Sequence, residues 1–284
     1  MRVNLLFALV LSFFFHGCAS HFFHPDHTRY RTPKFYELNY DEVYFASADK
    51  TPLHAWHIYP KTESKGLLFV AHGNGQNLSA HFISWVWLLE AGYEVFIFDY
   101  RGYGESKGEI SLSGSIEDTQ AALDYVQKSY SKAFYVCGQS LGGTMLLNAL
   151  ANRDNSHIKA VIIDSTFTGF SDIASEKMDN IILTWPFQWV PKLSLRDDYD
   201  AKDRVKKINK PLLFIHGSSD MIISPNHSWQ LFELASTPSE IWLVKEADHI
   251  QSIQNIAVQK DFLEFLELEK NYYNPHYSRM RIYE

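Results

Sequence analysis

Six short apolar runs, near residues 67–71, 93–98, 133–137, 159–163, 211–215 and 240–244, are rich in Val, Ile, Phe and Tyr and show no strict polar–apolar alternation. Strands of that kind are covered on both faces, as in a parallel sheet sandwiched between helices. The intervening segments supply the helices. Residues 78–91 place Leu78, Phe82, Trp85, Leu88 and Leu89 on one face, followed by Gly92 where a left-handed cap is wanted. Residues 116–130 repeat the pattern with Ile116, Leu123 and Val126, and the spacing of Ser115 to Asp118 resembles a capping box. Between Val43 and Ile58, the turn Ala48-Asp49-Lys50 joins two extended runs into an antiparallel hairpin leading into the sheet. Alternating strands and helices with right-handed crossovers imply an α/β chain with a doubly wound, mostly parallel central sheet flanked by helices.

The run 133–137 leads directly into Gly138-Gln139-Ser140-Leu141-Gly142, and Gly143-Thr144-Met145-Leu146-Leu147 continues as a helix. A G-x-S-x-G pentapeptide between strand and helix sets its serine on a sharp turn, lifts the hydroxyl above the sheet and points unpaired helix amides at the attacked group. Ser140 is therefore the candidate nucleophile. Such a serine needs a base, a group to orient the base, and amide donors for the oxyanion. The run 211–215 ends in His216-Gly217-Ser218-Ser219-Asp220, and the run 240–244 leads into Glu246-Ala247-Asp248-His249. Asp220 and His249 are the candidate acid and base. The run 67–71 ends in His72-Gly73-Asn74-Gly75, which allows the backbone N–H of Asn74 to face the same point as that of Leu141. Two such donors make an oxyanion hole.

Each assignment has competitors. Of thirteen histidines, only His249 follows the last apolar run and precedes the final helical segment; His72 and His216 read as braces at strand ends. Asp164 ends the run 159–163 and is the second candidate for the acid. Asp248 is a poor orienter of its own neighbour, because adjacent residues at a strand end point apart.

With these residues in place, the chain resembles α/β-hydrolase superfamily serine hydrolases, of the small single-domain kind that includes monoglyceride lipases and acyl-protein thioesterases. The chain order Ser140, Asp220, His249 is that superfamily's. Asp99-Tyr100-Arg101-Gly102-Tyr103-Gly104-Glu105-Ser106 is similar to its D-x-R-G-x-G-x-S loop. The resemblance covers residues 35–270 and has one departure, since Asp248 stands where the family often has glycine. It implies an α/β-hydrolase fold that cleaves a carboxylic ester or thioester through an acyl-enzyme, with no metal and no organic cofactor. It also implies that residues 166–205, with the segment Ile181-Ile182-Leu183-Thr184-Trp185-Pro186-Phe187-Gln188-Trp189-Val190-Pro191, form a cap over the nucleophile. The cap aromatics line an acyl slot or pack the cap onto the sheet, with docking on a membrane as a third reading. A serine peptidase resembling aminopeptidases and a non-catalytic lipid-binding lipoprotein are the competing classes.

The ends of the chain suggest a compartment. Met1-Arg2 followed by apolar Val3 to Phe15 reads as a secretory signal, too short to span a bilayer comfortably. Phe15-His16-Gly17-Cys18 resembles a bacterial lipobox, so residues 1–17 are expected to be a signal peptide, Cys18 the lipidated residue and residues 18–34 a tether to a membrane. Phe22-Phe23-His24-Pro25-Asp26 resembles the N-terminal stretch of lipid-anchored hydrolases, and Ala19 in place of aspartate favours the outer membrane, facing the periplasm. His21, His24 and His27 lack a fourth-ligand pattern and are assigned no metal. Cys137, the other of two cysteines, lies in the nucleophile strand and is expected to be a packing residue, so no disulfide framework follows. A net charge of −7 without a long basic run makes nucleic acid an unexpected partner. Residues 271–284 are expected to be a surface tail.

Overall fold

The computed structural model describes residues 23–179, 188–194, 198–267 and 278–284. Two residues at each of two sites, β1 (His24–Pro25) and β5 (Gly75–Gln76), form a small parallel pair. The main sheet contains β2 (Asn39–Ala46), β3 (Pro52–Tyr59), β4 (Gly66–Ala71), β6 (Tyr93–Phe98), β7 (Phe134–Gln139), β8 (Ile158–Asp164), β9 (Leu212–Gly217), β10 (Ser239–Val244) and β11 (Ser278–Tyr283). Their spatial order is β11-β10-β9-β8-β7-β4-β6-β3-β2. Among these strands only β3 runs against its neighbours, pairing antiparallel with both β2 and β6.

The six apolar runs read from the sequence are β4, β6, β7, β8, β9 and β10, and in β4, β6, β7 and β9 every residue is buried. The pleat sorts their side chains between two cores. Leu67, Phe69, Phe96, Phe98, Val136 and Phe214 meet Leu123, Val126 and Leu146 on one face. Leu68, Val70, Val95, Ile97, Cys137 and Ile215 meet Trp85, Leu88 and Phe262 on the other. Cys137 is a buried free thiol whose pKa burial pushes up, in keeping with a packing role.

The segment 78–91 is helical, with a 3₁₀ turn over Phe82–Trp85 between the helices Leu78–His81 and Val86–Glu90. Gly92 follows in the left-handed region, at φ 95°. The next helix departs from expectation. It spans Leu112–Ser129, and its N-cap is Ser111, whose side chain accepts from the Gly114 N–H. Ser115 therefore sits inside the helix, and the supposed capping-box partner Asp118 turns to Arg101. That guanidinium donates to Asp118 through Nε at 3.0 Å and NH2 at 2.8 Å, and the Arg101 amide adds a bond at 2.8 Å. A buried arginine is a stronger claim on a carboxylate than a local backbone amide.

The C-terminal residues also depart from expectation, because the chain from Ser278 is the sheet's edge strand and not a tail. Alternation explains it: Tyr283 is buried against Trp242 with ring centroids 5.7 Å apart, and the Arg281 guanidinium lies 5.2 Å from the centre of the same indole. Met280 and Ile282 stay exposed.

The expected insertion 166–205 contributes the helices Phe170–Asp179, Val190–Ser194 and Ala201–Arg204. Most of the aromatic segment, residues 181–187, lies outside the described residues, as do residues 1–17, expected as a signal peptide, and Cys18. Among the described residues no helix is long and apolar enough to cross a membrane.

Candidate active site

Ser140 joins β7 to the helix Leu141–Leu150 with φ 53° and ψ −121°, a conformation costly for a residue carrying a Cβ. The turn is held open from three directions. The Ser140 N–H donates to the Asp164 carbonyl at 2.8 Å, while the Ser140 carbonyl accepts from the Gly143 N–H at 3.1 Å and the Thr166 hydroxyl at 2.9 Å. The flanking glycines are demanded by close approach: a Cβ on Gly142 would lie 2.1 Å from the Ala71 carbonyl oxygen, and one on Gly138 would lie 2.5 Å from the Gly143 Cα. The helix thus begins hard against the end of β4, with the Leu141 amide in its first turn.

Asp220 follows β9 and His249 follows β10, and the structure brings them together: His249 Nδ1 lies 2.7 Å from Asp220 Oδ2. A carboxylate only accepts, so Nδ1 is the donor in this pair, and in the neutral ring Nε2 carries the lone pair. Asp220 is itself fixed by the amides of Ile222 and Ile223, each 2.8 Å from Oδ1, and by His216 Nε2 at 3.1 Å from Oδ2. Burial works against its charge, but the hydrogen bonds from His216, His249 and the Ile223 amide outweigh it and hold the carboxyl well below the usual carboxylate range. His216 also lies 2.9 Å from the Ile223 carbonyl and 2.6 Å from the Ser228 hydroxyl, which makes it the brace expected of it.

Asp164, the other candidate acid, does not reach the imidazole. Gln139 Nε2 donates to its Oδ2 at 2.9 Å and the Ser165 hydroxyl to its Oδ1 at 3.1 Å, and burial raises its pKa. It supports the serine turn instead. Asp248 accepts the His249 N–H at 2.8 Å and the Met221 N–H at 3.3 Å, so it ties the two loops together where a glycine was expected.

Ser140, Leu141, Asn74 and His249 all line one cavity of about 710 Å³. Phe167, Phe170, Ile173, Met178 and Ile223 give it a mostly apolar lining, interrupted by Gln76 and Lys177, and the helix Phe170–Asp179 of the insertion borders the same cavity as the serine. Sequence reasoning missed two further wall residues. His81, in the first turn after β5, places Nε2 2.8 Å from the Gly75 carbonyl, and burial with the neighbouring His72 pulls its pKa down to about 4. His24 belongs to the stretch expected as a tether, yet it lines the cavity and its backbone pairs with Gly75. The alternation of His, Pro and Asp in that stretch carried no signal for it. The residues of the D-x-R-G-x-G-x-S loop are structural: Asp99 Oδ1 accepts the Leu78 N–H at 2.8 Å, and the Ser106 hydroxyl donates to the Asp99 carbonyl at 2.7 Å.

A serine on a strand–helix elbow of a mostly parallel sheet, with a carboxylate-bound histidine facing the same cavity, defines an α/β-hydrolase of the serine hydrolase class. The family model described as Serine aminopeptidase, S33 matches residues 62–204, and the chain belongs to that family. It is 32% identical to the uncharacterised protein YfhR of Escherichia coli K12, over 82% of this chain and 81% of that protein. It is 30% identical to the alpha/beta hydrolase domain-containing protein WAV2 of Arabidopsis thaliana, over 72% of this chain and 70% of that one. Among solved structures, an esterase of Pyrococcus furiosus superposes with a TM-score of 0.69 at 22% identity, covering 89% of this chain and 98% of that one. The esterase domain of a Rhodothermus marinus protein superposes with a TM-score of 0.59 at 22% identity, over 80% and 96%. Both likenesses are of fold.

Proposed function

We propose that this hydrolase cleaves carboxylic esters or thioesters of apolar acyl groups through an acyl-enzyme on Ser140. The observation that carries the reading is the 2.7 Å contact of Asp220 with His249, which leaves the free imidazole nitrogen on the cavity that holds Ser140. In this mechanism His249 Nε2 takes the Ser140 proton as Oγ attacks the carbonyl carbon. The main-chain amides of Leu141 and Asn74 stabilise the oxyanion, and Asp220 stabilises the imidazolium. The imidazolium then returns its proton to the leaving alcohol or thiol. Water attacks the acyl-enzyme by the same route and frees the acid. No step calls on a metal or cofactor.

The apolar wall formed by Phe167, Phe170 and Ile173 favours an acyl chain. The family description raises an aminopeptidase as the second reading, which needs a negative group for the substrate ammonium. The described cavity wall carries Lys177 and no carboxylate, which supports the ester. The decisive experiment compares p-nitrophenyl butyrate with aminoacyl p-nitroanilides in the parent protein and in Ser140→Ala. Ester turnover lost in Ser140→Ala, with a fluorophosphonate adduct on Ser140 in the parent, is the expected result; ester turnover at the parent rate in Ser140→Ala ends the proposal.

From Phe15-His16-Gly17-Cys18 we propose in addition that the enzyme is anchored through acylated Cys18 on the outer membrane and faces the periplasm. More than one acyl chain on that cysteine makes such anchoring durable. Metabolic labelling with an alkyne fatty acid, lost in Cys18→Ser, is the expected outcome; equal labelling of both proteins removes this part of the proposal.

A further inference from the structure

We infer that Tyr103 and the N-terminal pair His24–Pro25 are positioning elements for the oxyanion donor at Asn74, an inference that rests on the acyl-transfer mechanism proposed above. The loop Gly73-Asn74-Gly75 carries glycine on both sides of the proposed donor, and glycine backbones have the widest conformational freedom. An oxyanion donor is effective only when its direction is fixed before charge develops. Something outside the loop must therefore fix it.

Two groups do so. The Tyr103 hydroxyl donates to the Asn74 carbonyl oxygen at 2.8 Å and lies 3.0 Å from Asn74 Oδ1. The His24 N–H donates to Asn74 Oδ1 at 3.0 Å. Tyr103 is fully buried, and burial pushes its phenol well above the ordinary range, so it is a donor at neutral pH. His24 and Pro25 pair in parallel with Gly75 and Gln76, and Gln76 is held at φ 63°.

The segment that delivers His24 is anchored in turn. The Asp26 carbonyl accepts from Asn77 Nδ2 and from the Gly104 N–H, both at 2.9 Å, and the Thr28 carbonyl accepts from Asn77 Nδ2 at 2.8 Å. Farther along, Arg29 pairs with Glu42 and Glu105. The D-x-R-G-x-G-x-S loop, through Tyr103 and Gly104, and the N-terminal segment thus grip Asn74 from two sides. Tyr103 does not line the cavity, and the His24 N–H is taken up by the Asn74 side chain, so both act through Asn74.

Tyr103→Phe removes one hydroxyl from a buried ring and leaves its packing. His24→Pro removes the N–H at the surface end of the grip and keeps the inference testable if the buried variant fails to fold; because it also removes the imidazole on the cavity wall, it is read against His24→Ala, which loses the imidazole and keeps the N–H. Tyr103→Phe and His24→Pro are assayed with p-nitrophenyl butyrate and with a trifluoromethyl ketone that forms an oxyanion adduct on the serine. The expected result is a kcat lower by about 10-fold or more in each variant, with KM within about two-fold of the parent and ketone affinity falling in step with kcat. A role confined to stability would instead lower the melting temperature and leave kcat of the folded fraction intact. An active parent whose two variants keep the parental kcat and ketone affinity overturns this inference alone. A parent in which fluorophosphonate leaves Ser140 unlabelled overturns it together with the mechanism.

Discussion

Asp220 and His249 meet at 2.7 Å although they are 29 residues apart in sequence, because each lies in the loop that follows one of two adjacent parallel strands. The register sets Gly217 beside Val244, so the loops leave the sheet together. They are then laced: the Ser218 N–H donates to the Val244 carbonyl at 2.8 Å, and the Ser219 N–H to the Ala247 carbonyl at 3.0 Å. Gly217 permits this closeness, since a Cβ there would lie 2.2 Å from the Ala247 carbonyl oxygen. The contact is thus a consequence of strand order and loop lacing, with little left to side-chain chance.

Asp220→Asn tests that contact directly. The amide keeps the shape and retains one acceptor, but its NH2 favours the imidazole tautomer with a bare Nδ1, which puts the proton on Nε2 and removes the base. A loss in kcat of about 10⁴-fold is expected at neutral pH, with the melting temperature changed much less. Steady-state ester kinetics on the purified variant give the answer; a loss below about 10-fold contradicts the assigned role.

Gly142→Ala is expected to be destabilising, because the new methyl group meets the Ala71 carbonyl at 2.1 Å and neither backbone can retreat from the sheet. Overpacking of this kind costs about 1–3 kcal/mol, with the upper end expected here. Urea unfolding of the folded variant measures it. A midpoint equal to the parent's shows that the elbow is looser than its contacts imply.

Arg101 and Asp118 form a bidentate pair in which Asp118 is fully buried. Removing one partner leaves the other charge buried alone, so Arg101→Met is expected to cost about 3–5 kcal/mol. The double variant Arg101→Met with Asp118→Leu is expected to recover a large part of that loss. Denaturant curves for the parent, Arg101→Met, Asp118→Leu and the double variant form a double-mutant cycle, and strictly additive losses contradict the coupling.

Much of this architecture is legible in the sequence because the sheet is covered on both sides. Residues such as Phe69, Val70, Ile97 and Val136 must all be apolar, and that leaves a continuous signal. The site is legible for a related reason: Ser140, Asp220 and His249 each stand just beyond such a run. What the sequence conceals are features decided by distant partners. Asp118 looks like a capping residue until Arg101, 17 residues away in sequence, supplies a stronger partner. The edge strand Ser278–Tyr283 alternates arginine with apolar residues, and its pairing depends on Trp242 and Asp261, which sequence proximity does not reveal. His24 reads as part of a linker because its contribution is a backbone amide, a group every residue but proline possesses.

His81 gives the last prediction, and its sign can be worked out. Its folded-state pKa of about 4 lies below the ordinary 6.5, through burial and the like charge of His72, whose ring stacks on it at 5.1 Å. The unfolded chain therefore takes up the proton first, so stability is intact above about pH 6.5 and falls as the pH drops from there to about 4. The difference corresponds to roughly 3 kcal/mol for this one group. Asp99 on the far side of His72 partly offsets the effect, and His249 across the cavity adds to it. His81→Gln preserves a donor toward the Gly75 carbonyl but cannot titrate. The stability gap between parent and variant, from urea unfolding at pH 7 and pH 4, is expected to shift by about that amount in favour of the variant at the lower pH. A gap that stays constant would show that His81 is not the group that titrates. Its neutrality also bears on turnover, because an uncharged His81 ring adds no like charge to the imidazolium of His249 at the moment it forms. Turnover of the proposed ester substrates above pH 6 is accordingly expected to be little changed in His81→Gln, while toward pH 4 the parent loses more stability than the variant.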